Sequence, residues 1–281
     1  MAKRDWSDAL LDKCGLARSQ MPTLVEGCEV SATLDPQVAE RWGLNASVAV
    51  AGGGGDNAVS AIGVGAVSPG DAFISLGTSG VLFVVTDAYR PAPQSAVHAF
   101  CHVLPNLWHQ MSVMLSAASC LQWFCRLTGT TEVALLEEIA ELSEEEKSHA
   151  PFFLPYLSGE RTPHNDPDAR GMFWGMTHSS LRAQLGYAVL EGVSFGISDG
   201  LQVLKESGTQ IEQCSLVGGG ARSPFWAQLL ADILDMPVVT HKGGETGGAL
   251  GAARLACLAA GKPITEVCEK PEIWQTWRAD P

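Results

Sequence analysis

The sequence predicts an α/β protein whose mixed sheet is flanked by helices. Hydrophobic residues make up 46% of the 281 residues, which is enough to form a substantial core. From residue 213 onward, short β-branched runs alternate with helical segments, a pattern typical of parallel strands. Between residues 71 and 115, strand-like runs are joined by short turns instead, which predicts antiparallel pairing. A sheet that contains both kinds of pairing is mixed.

The first part of the chain predicts three helices and one short strand. Residues 5–14 have the spacing of an amphipathic helix. Asp35-Pro36 is an N-cap residue followed by a proline at the first helical position, so a short helix should follow. Residues 47–51 form a short β-branched run that predicts a strand, and residues 57–66, after four glycines, have a helical pattern.

The middle of the chain predicts hairpins followed by helices. The apolar runs AFISL and VLFVV flank Gly77-Thr78-Ser79-Gly80, which predicts a hairpin with a four-residue loop. Two more strands are expected within residues 95–115, and helices at 116–128 and 131–147. The segment 151–175 is rich in proline and glycine, and so long a loop is either functional or a linker.

The last part predicts alternating helices and strands. A long helix should begin at Ser179 or Ser180 and end near Gly208. The elements expected after it are a strand at 213–217, a helix at 224–234, a strand at 237–240 and a helix at 247–260.

The charge and the cysteine usage exclude some functions. The formal net charge is −13, and so acidic a surface repels nucleic-acid phosphates and anionic lipid. It does not exclude ATP, because backbone N–H groups can hold phosphates locally. The eight cysteines include no C-x-x-C pair and fit a reducing compartment. No apolar run has membrane-spanning length, so we expect a soluble, cytoplasmic protein.

Both ends of the sequence have features expected of a truncated chain. A helical pattern begins by residue 5 with no linker before it, and the tail stops shortly after Trp274 and Trp277. Exposed tryptophan pairs at a terminus commonly need a partner surface. An ordinary frayed tail is the alternative interpretation.

Two glycine-rich turns and one hairpin are candidate ligand sites. Asp56 follows four glycines, where it is either an N-cap residue or a carboxylate placed in a cleft to accept a proton. The hairpin at Gly77 can bring backbone N–H groups and two hydroxyls close to an anion. The bare backbone at 218–220 can lie against an adenine ring, and the helix after it favours anions at its N-terminus.

Two further patterns are weaker. Residues 53–58 fit the dinucleotide pattern G-x-G-x-x-A, but a hairpin follows them instead of a βαβ unit. His98, His102 and His109 could hold zinc, but no activating carboxylate lies near them in the sequence. Ordinary structural histidines are therefore the favoured interpretation.

Several stretches together resemble the FGGY family of carbohydrate kinases. The signature of that family's C-terminal half is matched by GMFWGM at 171–176, by Gln184-Leu185 after seven residues, and by AVLE at 188–191 after two more. GGGGDNAVSAIGVG, SLGTSGV, FFLPYLSGERTPHNDP and VGGGARSPFW are similar to the corresponding stretches of family members that phosphorylate D-xylulose. The likeness covers nearly the whole chain.

The resemblance implies a fold and a division into domains. The fold is that of actin and Hsp70 (ribonuclease H-like), with two domains and a cleft between them. Residues 1–65 correspond to a remnant of the N-terminal domain and residues 66–281 to the C-terminal, nucleotide-binding domain. The family's first phosphate motif, Asp-x-Gly-Thr, does not occur in these 281 residues.

The resemblance also assigns site residues. Asp56 matches the general base that takes the proton of the sugar hydroxyl, and Asn57 beside it is expected to contact the sugar. The residues that match nucleotide-binding positions are Gly77, Thr78 and Ser79 at the β- and γ-phosphates, Gln122 near the nucleotide, and Gly219, Gly220 and Ala221 at the adenosine. Mg²⁺ is expected to arrive with ATP, and no metal site formed by the protein is predicted.

Two substituted positions and one unassigned residue pair limit this transfer. A glycine that the family often has four residues before Gln122 is Ala118 here, and the asparagine that some members have after the adenosine loop is Pro224. Glu160-Arg161 has no firm role by resemblance. These residues either tie a loop down or respond to closure of the cleft.

The implied activity is transfer of a phosphoryl group from ATP to a ketopentose, D-xylulose, giving D-xylulose 5-phosphate in pentose catabolism. We expect the 281 residues alone to be inactive, because both walls of the cleft are needed. Another ketose or a polyol stays open as substrate. A nucleotide-binding module without catalysis, a dehydrogenase and a homodimer also stay open.

Overall fold

The structure is a computed structural model that describes residues 1–242 and 247–280. Its strands, in chain order, are β1 (Val30–Thr33), β2 (Ala49–Ala51), β3 (Ala72–Leu76), β4 (Gly80–Thr86), β5 (His98–Cys101), β6 (Trp108–Met114), β7 (Phe152–Leu154), β8 (Met172–Trp174), β9 (Cys214–Val217), β10 (Val238–His241) and β11 (Ile273–Trp277). Its helices are α1 (Asp8–Cys14), α2 (Pro36–Trp42), α3 (Asp56–Gly63), α4 (Ala118–Thr128), α5 (Glu132–Ala140), α6 (Glu144–Ser148), α7 (Arg182–Glu206), α8 (Pro224–Leu234), α9 (Gly247–Ala259) and α10 (Ile264–Val267).

A seven-stranded sheet has the order β11-β10-β9-β3-β4-β6-β5. β3, β9 and β10 are parallel, whereas β4, β6 and β5 continue the sheet in antiparallel pairs, and β11 is antiparallel to β10. The predicted mixed sheet is confirmed. β4 is buried along its whole length, which explains why its sequence is a continuous apolar run rather than an alternating one.

Helices cover both faces of this sheet. Ile74, Leu76 and Leu82 pack on one face against the long helix α7 and against Trp226 of α8. Phe73, Phe83 and Met111 form the core on the other face, together with Ala61 of α3. Helix α9 packs along α3. Leu121 and Phe124 of α4 pack on the first face, so α3 and α4 lie on opposite faces of the same sheet.

Several elements differ from the sequence predictions. The helix expected over 131–147 is two helices, because the Ser143 side chain caps α6 by accepting a hydrogen bond from the Glu146 amide. The segment 151–175 contains the β7–β8 pair, held by the rings of Phe153 and Phe173 with centroids 4.6 Å apart. A strand, β1, precedes α2 and pairs with β2. The tail forms β11 rather than a frayed end.

The tryptophans of the tail have different environments. Trp277 is buried and its ring N–H donates to the Pro224 carbonyl at 3.2 Å, so this chain itself supplies its partner surface. Trp274 is 67% exposed, with the Lys242 ammonium 5.6 Å from its ring centroid. All eight cysteines are free thiols. Among the residues that the structure describes, no helix combines the length and apolarity needed to cross a bilayer.

Candidate active site

Asp56 is the first residue of α3 and is exposed. Gly55, not Asp56, occupies the N-cap position, so the capping interpretation of Asp56 is wrong. Its Oδ1 accepts hydrogen bonds from the backbone amide of Asn57 at 2.8 Å and from the Asn57 side chain at 3.3 Å. The carboxylate is thus held by its neighbour and keeps acceptor positions directed to solvent, as a proton acceptor requires.

The glycine turn before Asp56 forms one wall of an open cleft of about 420 Å³, which Asp56 and Asn57 line. A Cβ on Gly54 would lie 2.2 Å from Cγ1 of Val103, so only glycine fits where the turn meets this neighbour. Arg4 also lines this cleft. It forms an ion pair with Glu26 and donates to the Leu107 carbonyl at 2.6 Å. The sequence did not identify Arg4, because Arg4 and Leu107 are about 100 residues apart and no local pattern indicates such a contact.

His102 and His109 also line this cleft, but both rings belong mainly to the core. His102 Nδ1 accepts from the Leu104 amide at 3.2 Å, and His109 stacks on Phe83 with centroids 4.5 Å apart. Burial lowers the pKa of His102 to about 4 and that of His109 to about 3, so both rings are neutral at pH 7. Residues 1–242 and 247–280 contain no group of three or more His, Cys, Asp or Glu side chains placed to hold a metal.

The hairpin Gly77–Gly80 joins β3 to β4, with Thr78 and Ser79 exposed at its tip. Its carbonyl groups point the other way. The Thr78 carbonyl accepts from the Ala117 amide at 3.0 Å and from the Ser119 hydroxyl at 2.7 Å. The exposed tip therefore offers the Thr78 and Ser79 hydroxyls to an anion, while the Gly77 amide donates to the Ser79 carbonyl at 3.1 Å. The support from Ser119 was not anticipated from the sequence.

The glycine turn after β9 packs against the base of this hairpin. Gly219, Gly220 and Ala221 lie in a 3-10 turn. A Cβ on Gly220 would be 2.4 Å from Cδ2 of Leu76, whereas a Cβ on Gly219 would have no atom within 4 Å. The turn thus fits closely against the residue before Gly77 and presents bare backbone on its outer side. A pocket of about 370 Å³ beside the turn is lined by Ala221, Thr240 and Trp274.

Gln122 lies exposed on α4. This helix starts at the hairpin, where the Ala118 amide donates to the Gly77 carbonyl at 2.8 Å. Gln122, the hairpin and the glycine turn are therefore on elements that meet around Leu76 and Gly77. Asp56 and Asn57 line a separate cleft. Of the residues that the structure describes, none from the hairpin lines that cleft.

Family comparison explains this arrangement. Residues 72–260 match the C-terminal domain of the FGGY family of carbohydrate kinases, and residues 1–63 match the N-terminal domain of the same family. The chain belongs to the FGGY family of carbohydrate kinases. The family resemblance predicted from the sequence is thereby confirmed.

Individual relatives are similar over almost the whole chain. Xylulose kinase of Escherichia coli K12 is 53% identical over 260 residues, which cover 92% of this chain and 53% of that protein. Xylulose kinase of Klebsiella pneumoniae is 49% identical over 259 residues. A crystal structure of a xyloylose kinase from Brucella ovis is 49% identical with a TM-score of 0.94, covering 99% of this chain and 57% of that one.

These likenesses confirm the predicted fold, the actin and Hsp70 type found in sugar kinases. The chain spans about half the length of the curated relatives it matches.

Proposed function

We propose that this chain is part of an enzyme that transfers the γ-phosphoryl group of ATP to D-xylulose, giving D-xylulose 5-phosphate in pentose catabolism. The observation that carries the proposal is the meeting of the hairpin, the glycine turn and α4 around Leu76 and Gly77. The choice of D-xylulose rests on the 53% identity to the E. coli xylulose kinase. Another ketose or a polyol is the alternative substrate.

The nucleotide would bind along the hairpin and the glycine turn. Adenosine would lie against Gly219, Gly220 and Ala221, where the open side of Gly219 leaves room for a ring, and Gln122 would face it from α4. The β- and γ-phosphates would contact Gly77, Thr78 and Ser79, whose exposed hydroxyls make no hydrogen bond within the described residues. Mg²⁺ would be held mainly by the phosphates and would neutralise their charge.

Asp56 and Asn57 would act on the sugar. The exposed Asp56 carboxylate would accept the proton of the attacking hydroxyl, while Asn57 holds one of its oxygens in place and contacts the sugar. Catalysis of this kind consists of positioning and of electrostatic stabilisation. It therefore requires the cleft with Asp56 and the hairpin with Thr78 to face the same phosphoryl group.

We also propose a domain boundary between residues 65 and 66, which the family matches to residues 1–63 and 72–260 support.

We propose that a polypeptide of these 281 residues alone binds the nucleotide but does not phosphorylate the sugar. Its turnover should therefore be no greater than that of its Asp56→Asn variant. The chain covers 53% of the E. coli protein, and positioning of the sugar uses both domains of that family's fold.

The substrate is tested with a chimera in which the first half of the E. coli xylulose kinase precedes residues 1–281. ADP release is measured with D-xylulose, D-ribulose and glycerol, and the Asp56→Asn chimera provides the blank. We expect D-xylulose to give the highest kcat/KM. A preference for another acceptor would refute the substrate, and NADH binding in place of ADP binding would refute the kinase assignment.

We propose a cytoplasmic location, which the eight free thiols support because they fit a reducing compartment.

A homodimer is also proposed. It is supported by an exposed apolar face on the β7–β8 pair, where Phe152 stacks on Trp174 at 5.8 Å with Leu154 opposite Met172. Sedimentation of wild type and of Trp174→Asp tests it, since a monomer in both would refute a dimer through this face.

A further inference from the structure

Glu160 is a buried carboxylate in the loop between β7 and β8, with 3% of the residue exposed. Its Oε1 accepts hydrogen bonds from the backbone amides of Leu115 at 3.0 Å and Arg161 at 2.6 Å. Its Oε2 is enclosed and has no partner among the described residues. Burial raises the pKa of this carboxyl, and the two amides oppose that rise. Burying a carboxylate costs free energy, so its contact with Leu115 calls for an explanation.

Leu115 begins the linker between β6 and α4, and this linker supports the hairpin. Two residues after Leu115, the Ala117 amide donates to the Thr78 carbonyl at 3.0 Å. The Ala118 amide donates to the Gly77 carbonyl at 2.8 Å, and the Ser119 hydroxyl donates to the Thr78 carbonyl at 2.7 Å. Residues 115–119 therefore lie between the Glu160 carboxylate and the turn that carries Thr78.

Thr162 fastens the same loop at a different point. It is also buried, and its hydroxyl accepts from the Val113 amide at 3.1 Å and donates to the Ala96 carbonyl at 3.1 Å. Val113 lies inside β6, two residues before Leu115. Thr162 thus holds the strand, whereas Glu160 holds the linker that supports the hairpin.

We propose that Glu160 is a positioning residue for the hairpin Gly77–Gly80. By holding the Leu115 amide, it fixes residues 115–119, which form the linker and the start of α4, and through them the orientation of Thr78 and Ser79 toward the β- and γ-phosphates. The inference rests on the proposed function, because it takes an adenine nucleotide as the ligand. It concerns the phosphate end of the site, while the adenosine end is formed by the separate turn at Gly219.

The test compares MgADP with AMP, because AMP lacks the phosphates that the hairpin would hold. Calorimetric titrations use residues 1–281 as wild type, Glu160→Ala, Glu160→Met, Glu160→Gln and Thr162→Val. We expect Glu160→Ala to weaken MgADP about tenfold, comparable with the loss of one or two hydrogen bonds, and to leave AMP affinity within about twofold. Glu160→Met fills about the same volume without an oxygen that accepts from Leu115, so its MgADP and AMP affinities replace those of Glu160→Ala if that variant does not fold.

Two variants separate positioning from general loosening of the loop. Glu160→Gln keeps an oxygen that accepts from Leu115, so it should retain wild-type MgADP affinity. Thr162→Val should lower the melting temperature without changing the ratio of MgADP to AMP affinity. Equal effects of Glu160→Met on both nucleotides, or none, would overturn the inference alone. A wild-type chain that binds neither nucleotide would overturn the proposed function and the inference with it.

Discussion

Replacing Gly220 by alanine should destabilise the protein through one defined contact. The new Cβ would lie 2.4 Å from Cδ2 and 2.6 Å from Cγ of Leu76, a fully buried residue at the end of β3. Neither β3 nor the turn can shift freely, because β9 pairs with β3 directly before the turn. Overpacking of this kind costs about 1–3 kcal/mol. At about 2–4 °C per kcal/mol, the melting temperature should fall by several degrees.

Gly219→Ala is the matched control. Its Cβ would have no atom within 4 Å, and the residue lies in a 3-10 turn. We therefore expect stability to stay level or to rise by about 0.4–1 kcal/mol. Its methyl group would occupy the space proposed for adenosine, so MgADP affinity should fall at least tenfold. Thermal melts and calorimetry of both variants check this. A Gly220→Ala protein as stable as wild type would refute the packing argument, and unchanged MgADP affinity in Gly219→Ala would refute the adenosine site.

Three further results are expected. Asp56→Asn in the chimera should lower ketose phosphorylation by about 10²–10⁴-fold while leaving MgADP affinity unchanged, and comparable turnover would exclude Asp56 as the base. Because burial lowers the pKa of His109 from 6.5 to about 3, protons bind the unfolded chain first as the pH falls below 6.5. The stabilisation from the neutral His109 ring is therefore complete above pH 6.5 and should be smaller by about 2 kcal/mol at pH 5. His102, whose pKa is lowered to about 4, loses a similar amount over this range, so in melts recorded from pH 7 to 5 His109→Phe should remove about half of the combined loss. Trp277→Ala should cost about 3–5 kcal/mol, whereas Trp274→Ala should stay within about 0.5 kcal/mol in urea unfolding, and equal costs would contradict the burial of Trp277.

Local patterns were sufficient to predict much of the fold. The apolar runs around Gly77–Gly80 predicted the β3–β4 hairpin, and the Asp35-Pro36 boundary predicted α2. The segment 151–175 was harder, because β7 and β8 are three residues each and depend on ring contacts between residues about 20 positions apart. β11 was missed for a related reason, since its partner β10 lies about 35 residues earlier in the chain.

The candidate site shows the same limit. Glycine runs marked the two turns as candidate sites, and the glycines and two hydroxyls of the hairpin marked it as a candidate site for an anion. The contacts that hold these turns in place join residues far apart in sequence, as between Ser119 and Thr78 or between Glu160 and Leu115. No periodicity or motif encodes such pairs. The sequence left Asp56 open between an N-cap residue and a proton acceptor, because the glycine that occupies the N-cap position carries no side-chain signal.

The most direct test of the account is a thermal melt of residues 1–281 with and without MgADP, with NADH as the control ligand. At a hundred times its dissociation constant, a ligand that binds only the folded state adds about 2.7 kcal/mol. We expect MgADP to raise the melting temperature by about 5–10 °C, and NADH to leave it unchanged. A cooperative melt that MgADP does not shift, or that NADH shifts equally, would contradict an adenine-nucleotide site formed by the hairpin at Thr78 and the turn at Gly219.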